Sequence, residues 1–512
     1  MAFDPVLSSG IILAYLVVTL GIGIAGWRIS PSKNMEDYLL ADRAVHWFVG
    51  FFSTIASQFS ALTLMGFVAF YFKFGISTFI AITGAYILFT SGTYYFIGPK
   101  VWKIGRKFGH ITPSDTVREY YDSPLFGYIV AVGMILALIA YLEVQLMGVG
   151  ILLKLGSGGV IPVTAGAAAI TVVIAIYTWL GGMKSVAWVD TVQGVMLLGG
   201  AVIGGFVLLF TIGGGFGPAF SQIASQKPAL LQVPGPAGVW NWVFIATFAI
   251  PVFLGWVYHP HMWMRLHYFK SGRAVENLPW VSGGIFWLTQ IGGLAVVLTG
   301  ALIIPDAPPD QFILLMFRNY FPTVAFALVA SAALAAIMSS ASSQCHGIGA
   351  VAARDVTEQI WPEWEESKHL MVARVTMLIG LLGAFFLSTL GIPFLVTSGA
   401  AAAAISTALI FPQVIAAVYG WEWPTREGAV AAGALGLITS LVFLLGWVSS
   451  PFGVWPGFWG LVVNVVAFVV VSSVTNSHPE KSTINEWQEA MQDSTVALDR
   501  EHRENVVVSS DD

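Results

Sequence analysis

The sequence predicts an all-α polytopic membrane protein with about 13 transmembrane helices and an inverted five-helix repeat as its core. Three observations predict this fold. Of the 512 residues, 56% are hydrophobic and only 10% are charged, whereas about a quarter of a soluble domain is charged. The apolar residues form runs long enough to cross a bilayer, which takes roughly 20 residues in a helix. Two of these runs are polar and interrupted, and they stand five runs apart.

The apolar runs follow one another along the chain with short loops between them, and we number them as spans 1 to 13. They lie at 8–27, 47–72, 75–97, 125–153, 160–180, 186–212, 239–264, 279–304, 321–350, 371–391, 393–418, 428–447 and 456–475. The membrane domain is therefore predicted to cover residues 1–475. Its first repeat occupies about 47–212 and its second about 239–418, with 8–27, 428–447 and 456–475 as extra helices. The acidic tail 476–512 is predicted to be cytoplasmic and disordered.

The basic residues predict the orientation of the chain. No Lys or Arg precedes span 1, while Arg28, Lys33 and Arg43 follow it, which indicates a retained helix rather than a cleaved signal peptide. Alternating the spans from an external N-terminus places 19 of the 23 basic residues on the cytoplasmic side. We therefore expect a multi-pass protein of the plasma membrane, with its N-terminus outside and its C-terminus in the cytoplasm.

Several classes of function are excluded by composition and by missing motifs. The single cysteine, Cys345, provides neither a disulfide framework nor a four-cysteine zinc site. The chain has no basic patch for nucleic acid, and it has no zinc-protease pair or nucleophile elbow. We expect no enzyme activity, no cofactor and no obligate protein partner. The expected partners are the lipid bilayer, a small solute and a coupling ion.

Spans 2 and 7 are poor continuous helices. Span 2 carries Ser53, Thr54, Ser57, Gln58, Ser60 and Thr63, and span 7 carries Gly255, Tyr258, His259, Pro260 and His261. Proline removes an amide donor and clashes with the preceding turn. Interrupted polar helices at membrane depth are tolerated only inside protein or along a cavity. Paired broken helices in two halves are typical of an inverted-repeat transporter with its binding site at the midplane.

Spans 6 and 9 contain the other polar groups at depth. In span 9, Ser339, Ser340, Ser342 and Ser343 are three or four residues apart and share one broad helix face. Their hydroxyls could bind a hard cation such as sodium, or they could only permit close helix packing. In span 6, Asp190 could face an aqueous path or a partner, or it could complement the dipole of a helix N-terminus.

Four ordered segments of the chain resemble motifs of the sodium:solute symporter family, from the first span through the twelfth. The most specific is Tyr177-Thr178…Gly181-Gly182-Met183…Trp188…Asp190…Gln193. The others are Ser53…Ala56-Ser57…Ser60-Ala61…Thr63…Gly66, His259-Pro260-His261…Arg265, and Ala335-Ala336…Ser339-Ser340. The resemblance implies the amino-acid/sodium symporter architecture, with ten core helices in two inverted five-helix repeats. This is the fold that the two broken spans indicate independently.

The resemblance also implies two sodium sites, with sodium as the only metal. The first would be formed by the carbonyls of Ala56, Phe59 and Ala336 and the hydroxyls of Ser339 and Ser340. The second, which only some members of the family have, maps onto Asp190, Ser342 and Ser343. Both sets of ligand types are present in this chain.

Comparison with the family's patterns favours a monocarboxylate-type organic acid as the solute. Sugar-transporting members have a glutamine where this chain has Thr63 and an acid in the next span, where 75–97 contains none. The proline-transporting pattern has an aspartate where this chain has Gln58. The segment Tyr141–Leu146 and Phe411-Pro412 are more similar to monocarboxylate and pantothenate permeases. A proline-like amino-acid symporter is the alternative. A membrane sensor is a distant third, because the tail is too short for a kinase domain.

The candidate substrate-binding residues are the polar side chains of the broken spans and of the centre of span 4. They are Gln58, Ser60, Thr63, Glu143, Gln145, Tyr258, His259 and His261. Glu143 is unusual, because permeases of this type have a small residue there. It is either protonated and hydrogen-bonded, or ionised and paired with a cation such as a substrate amine. The histidines, His346 included, are either proton relays or hydrogen-bonded structural residues.

Overall fold

The computed structural model describes residues 3–29, 34–236, 238–390 and 395–492. Over these ranges the chain is helical and forms no strand, apart from an isolated β-bridge between Val45 and Phe269. The prediction of an all-α fold is therefore confirmed.

The helices account for every predicted span. In the described ranges, nine helices are long and apolar enough to cross a membrane, and two bent helix pairs qualify as broken spans. The stretch Val163–Thr211 contains spans 5 and 6, because Gly182, with a φ of +56°, separates two helices there. The shorter apolar helix Phe458–Val474 corresponds to span 13.

The helices are labelled in chain order. The predicted first repeat, 47–212, is preceded by α1 (Pro5–Ile29) and α2 (Met35–Leu40). The first repeat contains α3 (Trp47–Gln58), α4 (Phe67–Phe74), α5 (Ile76–Ala85), α6 (Gly92–Phe108), α7 (Pro113–Tyr120), α8 (Pro124–Gly156), α9 (Val163–Leu197) and α10 (Gly204–Thr211). Within it, π-helical turns cover Leu62–Gly66, Tyr86–Ser91 and Leu198–Ile203.

The predicted second repeat, 239–418, follows α11 (Phe216–Gln226). It contains α12 (Trp242–Tyr258), α13 (Pro260–His267), α14 (Gly272–Gly300), α15 (Phe312–Tyr320), α16 (Thr323–Ala350), α17 (Glu358–Ile360), α18 (Glu366–Thr389) and α19 (Leu395–Tyr419). A π-helical turn, Val351–Thr357, joins α16 to α17, and three 3₁₀ turns cover Ala41–Arg43, Pro228–Leu231 and Pro309–Gln311. The chain continues with α20 (Arg426–Leu444), α21 (Phe458–Val474) and α22 (Lys481–Gln492).

Both predicted breaks are present. The axes of α3 and the following helix over Leu62–Phe74 differ by 58°, and those of α12 and α13 differ by 51°. In span 2 the helix ends because Phe59 is extended, with φ −93° and ψ 113°. In span 7 His259 has a ψ of 132°. This is expected because Pro260 follows it, and a proline ring disfavours the α region for the residue before it.

The centre of the molecule is α16, which packs against α1, α3, α8 and α9. Every residue of α16 from Leu334 to Ala350 is buried. Its small side chains, mostly alanine and serine, allow this close packing. The serines of span 9 therefore lie against both the broken span 2 and the sixth span.

A charged cluster connects α7 to the end of span 9 on the predicted cytoplasmic side. Asp115 forms a capping box with Thr112 at the start of α7. Its carboxylate also pairs with Arg118 at 2.5 Å and with Arg354 at 3.2 Å. Burial opposes ionisation, but Arg354 and Arg118 outweigh it and lower the pKa of Asp115 to about 2. The carboxylate is therefore ionised at neutral pH.

The C-terminal tail differs from its prediction. Instead of being disordered throughout, it forms α22, in which Trp487 is fully buried with its ring 4.4 Å from that of Phe108. The Lys103 ammonium donates to the carbonyl of Met491 at 3.0 Å. The prediction of disorder is wrong for this helix, because one buried tryptophan anchors it. Residues 493–512 lie outside the described ranges.

We expect Trp487→Ala to release α22 from the membrane domain. Truncating a buried tryptophan costs about 3–5 kcal/mol, and this ring is the main apolar anchor of a 12-residue helix. Hydrogen exchange and limited proteolysis should both show loss of protection over α22. The control is Trp447→Ala, since Trp447 is 73% exposed. Unchanged protection in Trp487→Ala would contradict this account of the docking.

Candidate functional site

The five residues of the predicted first sodium site lie together, and we call them the serine site. The Ser339 hydroxyl donates to the carbonyls of Ala56 at 2.8 Å and Ala336 at 2.9 Å. The Ser340 hydroxyl donates to the carbonyl of Phe59 at 3.0 Å. All five residues are fully buried. The site therefore consists of oxygen atoms from the end of α3 and the middle of α16.

The break in span 2 explains why these carbonyls are available. The last carbonyls of a helix have no partner in the next turn, and α3 ends at Gln58. The carbonyl of Ser57 also accepts from the Ser340 hydroxyl, at 3.0 Å. The serines of α16 thus donate hydrogen bonds to the free carbonyls at the end of α3, in the middle of the membrane domain.

Two of the three residues of the predicted second sodium site, Asp190 and Ser343, contact the side chain of Arg265. The Asp190 carboxylate lies 2.8 Å from Nη2 of Arg265, and the same nitrogen lies 2.6 Å from the Ser343 hydroxyl. The Ser342 hydroxyl, like that of Ser343, donates to the carbonyl of Ser339, at 3.0 Å. Asp190 and Ser343 are thus grouped around a guanidinium. The sequence predicted Arg265 as one of the cytoplasmic basic residues that follow span 7 and gave it no further role, whereas the structure buries it fully against Asp190.

Two substrate candidates of the sequence analysis satisfy the backbone of the span 2 break. The Thr63 hydroxyl accepts from the amide of Ser60 at 2.6 Å and donates to the carbonyl of Ser60 at 2.9 Å. Oε1 of Gln145 accepts from the amide of Ala61 at 3.0 Å. Both side chains replace hydrogen bonds that the interrupted helix has lost. The Ser60 hydroxyl lies 3.1 Å from that of Tyr141.

Tyr141 also connects this break to the one in span 7. Its ring stacks on His259 with centroids 5.5 Å apart and lies 6.3 Å from His261, and the two imidazoles are 5.5 Å apart. We call Ser60, Tyr141, His259 and His261 the histidine cluster. Within the described residues, Nε2 of His259 and both ring nitrogens of His261 make no hydrogen bond. Nδ1 of His259 lies 3.2 Å from the hydroxyl of Ser406.

Tyr258 and Gln58 lie in other surroundings. The Tyr258 ring packs against Phe411 at 6.1 Å, and its hydroxyl has no hydrogen bond to the described part of the chain. Oε1 of Gln58 accepts from the hydroxyls of Tyr86 at 2.8 Å and Ser282 at 2.9 Å. Sequence reasoning missed Tyr86 and Ser282, because single neutral polar residues in spans 3 and 8 give no signal.

Glu143 lies on the opposite face of α8 from Tyr141, because residues two apart on a helix do not face each other. It is 1% exposed, and neither of its oxygens makes a well-formed hydrogen bond to the described residues. The Ser398 hydroxyl of α19 interacts with its carboxyl group. The carboxyl group of Glu143 therefore lies between α8 and α19.

Solved structures of other proteins share this fold. A substrate-bound, outward-open Na+-coupled sialic acid symporter matches with a TM-score of 0.74 and 17% identity, over 92% of this chain and 98% of that one. Mhp1, a nucleobase-cation-symport-1 family transporter in a closed conformation, matches with a TM-score of 0.56 and 11% identity, over 90% and 99%. The fold is that of inverted-repeat secondary transporters, as the paired breaks predicted.

Sequence comparison gives the family. The model of the sodium:solute symporter family matches residues 38–436, and the chain belongs to this family. It is similar to the sodium/pantothenate symporter of Escherichia coli (strain K12), with 24% identity over 92% of this chain and 98% of the relative. It is also similar to the osmoregulated proline transporter OpuE of Bacillus subtilis (strain 168), with 26% identity over 94% and 97%. The protein is a membrane transporter and not an enzyme, and its family supports sodium as the coupling ion.

Proposed function

We propose that the protein couples the inward movement of sodium to the uptake of a small organic monocarboxylate. The observation that carries this proposal is the histidine cluster, which lies between the two helix breaks. It is buried, contains no acidic side chain, and leaves imidazole nitrogens without hydrogen bonds to the described residues.

A carboxylate suits this cluster chemically. It only accepts hydrogen bonds, at about four lone-pair positions, and each imidazole and the Tyr141 phenol supply a donor. A buried donor left unpaired costs about 1–3 kcal/mol, which a bound carboxylate would recover. The cluster also borders the N-terminus of α13, where the helix dipole favours an anion.

The position of Glu143 supports a simple acid over a zwitterion. An anionic partner binds the amine of an amino acid most favourably, but the acid of α8, Glu143, is on the other face of that helix, toward Ser398. An unpaired buried ammonium would cost several kcal/mol. A proline-like symporter remains the alternative, since one relative is a proline transporter.

The serine site is the proposed position of the coupling sodium. Its donors are all oxygen atoms, which hard cations prefer. Each serine hydroxyl has lone pairs as well as a hydrogen, so Ser339 and Ser340 can turn from donating to a carbonyl to binding an ion. Because Ala56 and Phe59 border the break in span 2, sodium there would fix the broken helix next to the solute.

Uptake into proteoliposomes tests the proposed function directly. Pyruvate, acetate, lactate and pantothenate would be compared with proline, alanine and glucose, each with and without an inward sodium gradient. We expect accumulation of a monocarboxylate that requires the gradient. Gradient-driven uptake of proline or glucose alone would refute the proposed solute class, and uptake that ignores sodium would refute the coupling.

We expect Ser340→Ala to weaken sodium activation. A hydrogen bond or ligand to a charged group contributes roughly 1.5–3 kcal/mol, so the sodium concentration for half-maximal uptake should rise about ten- to a hundredfold. The matched control is Ser331→Ala on the same helix, because the hydroxyl of Ser331 has no partner in the described chain. An equal sodium response in both variants would exclude Ser340 from the site.

We expect Tyr141→Phe to raise KM for the transported acid about tenfold or more, since it removes one charge-assisted hydrogen bond. The variant keeps the ring that stacks on His259. Tyr120→Phe is the control, because its hydroxyl bonds the carbonyl of Trp421 at 2.6 Å, away from the cluster. If KM is the same in both variants, Tyr141 does not contact the solute.

Glu143→Gln separates the two solute classes. For a monocarboxylate, the neutral amide should transport as well as the wild type at pH 6 to 8, because Glu143 would not face the solute. For an amino-acid symporter, loss of the carboxylate should selectively abolish amino-acid uptake. Parallel assays of a monocarboxylate and proline in this variant decide between them. A selective loss of proline transport would contradict our proposal.

A further inference from the structure

The surroundings of Arg265 resemble a cation site that is already filled, and we call this group the arginine site. Arg265 is fully buried. Its Nη2 lies 2.8 Å from the carboxylate of Asp190, 2.5 Å from the hydroxyl of Ser57 and 2.6 Å from that of Ser343. One nitrogen thus has three oxygen neighbours from α9, α3 and α16.

The other terminal nitrogen of the guanidinium, Nη1, has a hydrogen-bond partner as well. Nη1 donates to the hydroxyl of Ser53 at 2.5 Å. The guanidinium carbon lies 5.7 Å from the ring centroid of Tyr268, within range of a cation–π contact. The Tyr268 hydroxyl is fixed in turn by the carbonyl of Gly50, at 2.6 Å. Both terminal nitrogens of Arg265, Nη1 and Nη2, are therefore anchored by hydrogen bonds.

The carboxylate and the hydroxyls of the arginine site already contact the guanidinium. The arginine site has one carboxylate, Asp190, and one guanidinium, Arg265, so its net charge is zero. Adding sodium would place two positive charges against one negative charge in a buried, poorly screened region. The hydroxyls of Ser57 and Ser343, which a sodium ion would need, already contact Nη2 of Arg265. The residues present do not fit a second ion.

We propose that Arg265 is a built-in cation that takes the place of a second sodium ion, so that the protein binds one sodium per chain. This inference rests on the proposed function and specifies its stoichiometry. It replaces the second site that the sequence predicted at Asp190, Ser342 and Ser343.

Arg265 is also a positioning residue for the serine site. Ser57 accepts from Arg265 through its hydroxyl and from Ser340 through its carbonyl, the latter at 3.0 Å. The Ser343 hydroxyl, next to Nη2, lies 2.8 Å from the carbonyl of Ser339, to which it donates. The guanidinium thus holds both chain segments that form the serine site.

Binding of ²²Na⁺ to the purified protein tests the inference without knowledge of the solute. The wild type should bind one sodium per chain without cooperativity, and Ser340→Ala should weaken that single event at least tenfold. Arg265→Gln should bind a second sodium ion, because the Asp190 carboxylate then lacks its positively charged partner. The double variant Arg265→Gln/Asp190→Asn should lose the gained event and return to one.

Three results would overturn the inference. The wild type could bind two sodium ions, one of which is lost in Asp190→Asn. Folded Arg265→Gln could bind a single ion, or the double variant could retain the second ion. The number of sodium ions bound by the wild type still tests the inference if Arg265→Gln does not fold. Arg265→Lys keeps the positive charge but loses the two terminal guanidinium nitrogens that contact the serines. This variant should therefore still bind one sodium ion, but more weakly. A wild type that binds no sodium would refute the proposed function instead.

Discussion

The hydrogen bonds of the backbone at two helix breaks constrain the rest of this molecule. In the centre of a membrane domain no bulk water satisfies a free amide or carbonyl, so each break needs side chains to replace the lost helical bonds. Thr63 and Gln145 do this for the amides of the span 2 break. Ser339 and Ser340 do it for the carbonyls at the end of α3. The dense packing of α16 against α3 follows from this requirement.

The same requirement separates structural from functional polar groups. Thr63 and Gln145 are committed to backbone atoms, which leaves little of their hydrogen-bonding capacity for a solute. The histidine cluster is different, because its imidazole nitrogens at the span 7 break have no such commitment to the described chain. Where Pro260 interrupts a helix it cannot donate a hydrogen bond itself. A polar solute between the two breaks would therefore be bound mainly by His259, His261 and Tyr141.

Charge is distributed unevenly around these breaks. Asp190 and Arg265 neutralise each other next to the serine site, so a sodium ion bound there would meet oxygen dipoles rather than a net charge. Such a site would release its ion more easily than a site with a carboxylate ligand, which suits a transporter that must bind and release in each cycle. Glu143 lies elsewhere, between α8 and α19, with Ser398 as its polar neighbour.

The sequence alone determined the 13 spans and the two breaks, because hydropathy and interrupting polar or proline residues are local signals. The residues of the serine site were implied by the resemblance of short motifs to the family. Only the tertiary structure decided which side chains meet. It paired Arg265 with Asp190 across 75 positions of the chain, and it placed the Ser398 hydroxyl of α19 against the carboxyl group of Glu143. It also docked α22 through Trp487. These outcomes depend on helix rotation and packing between distant segments, and no pattern within one span encodes them.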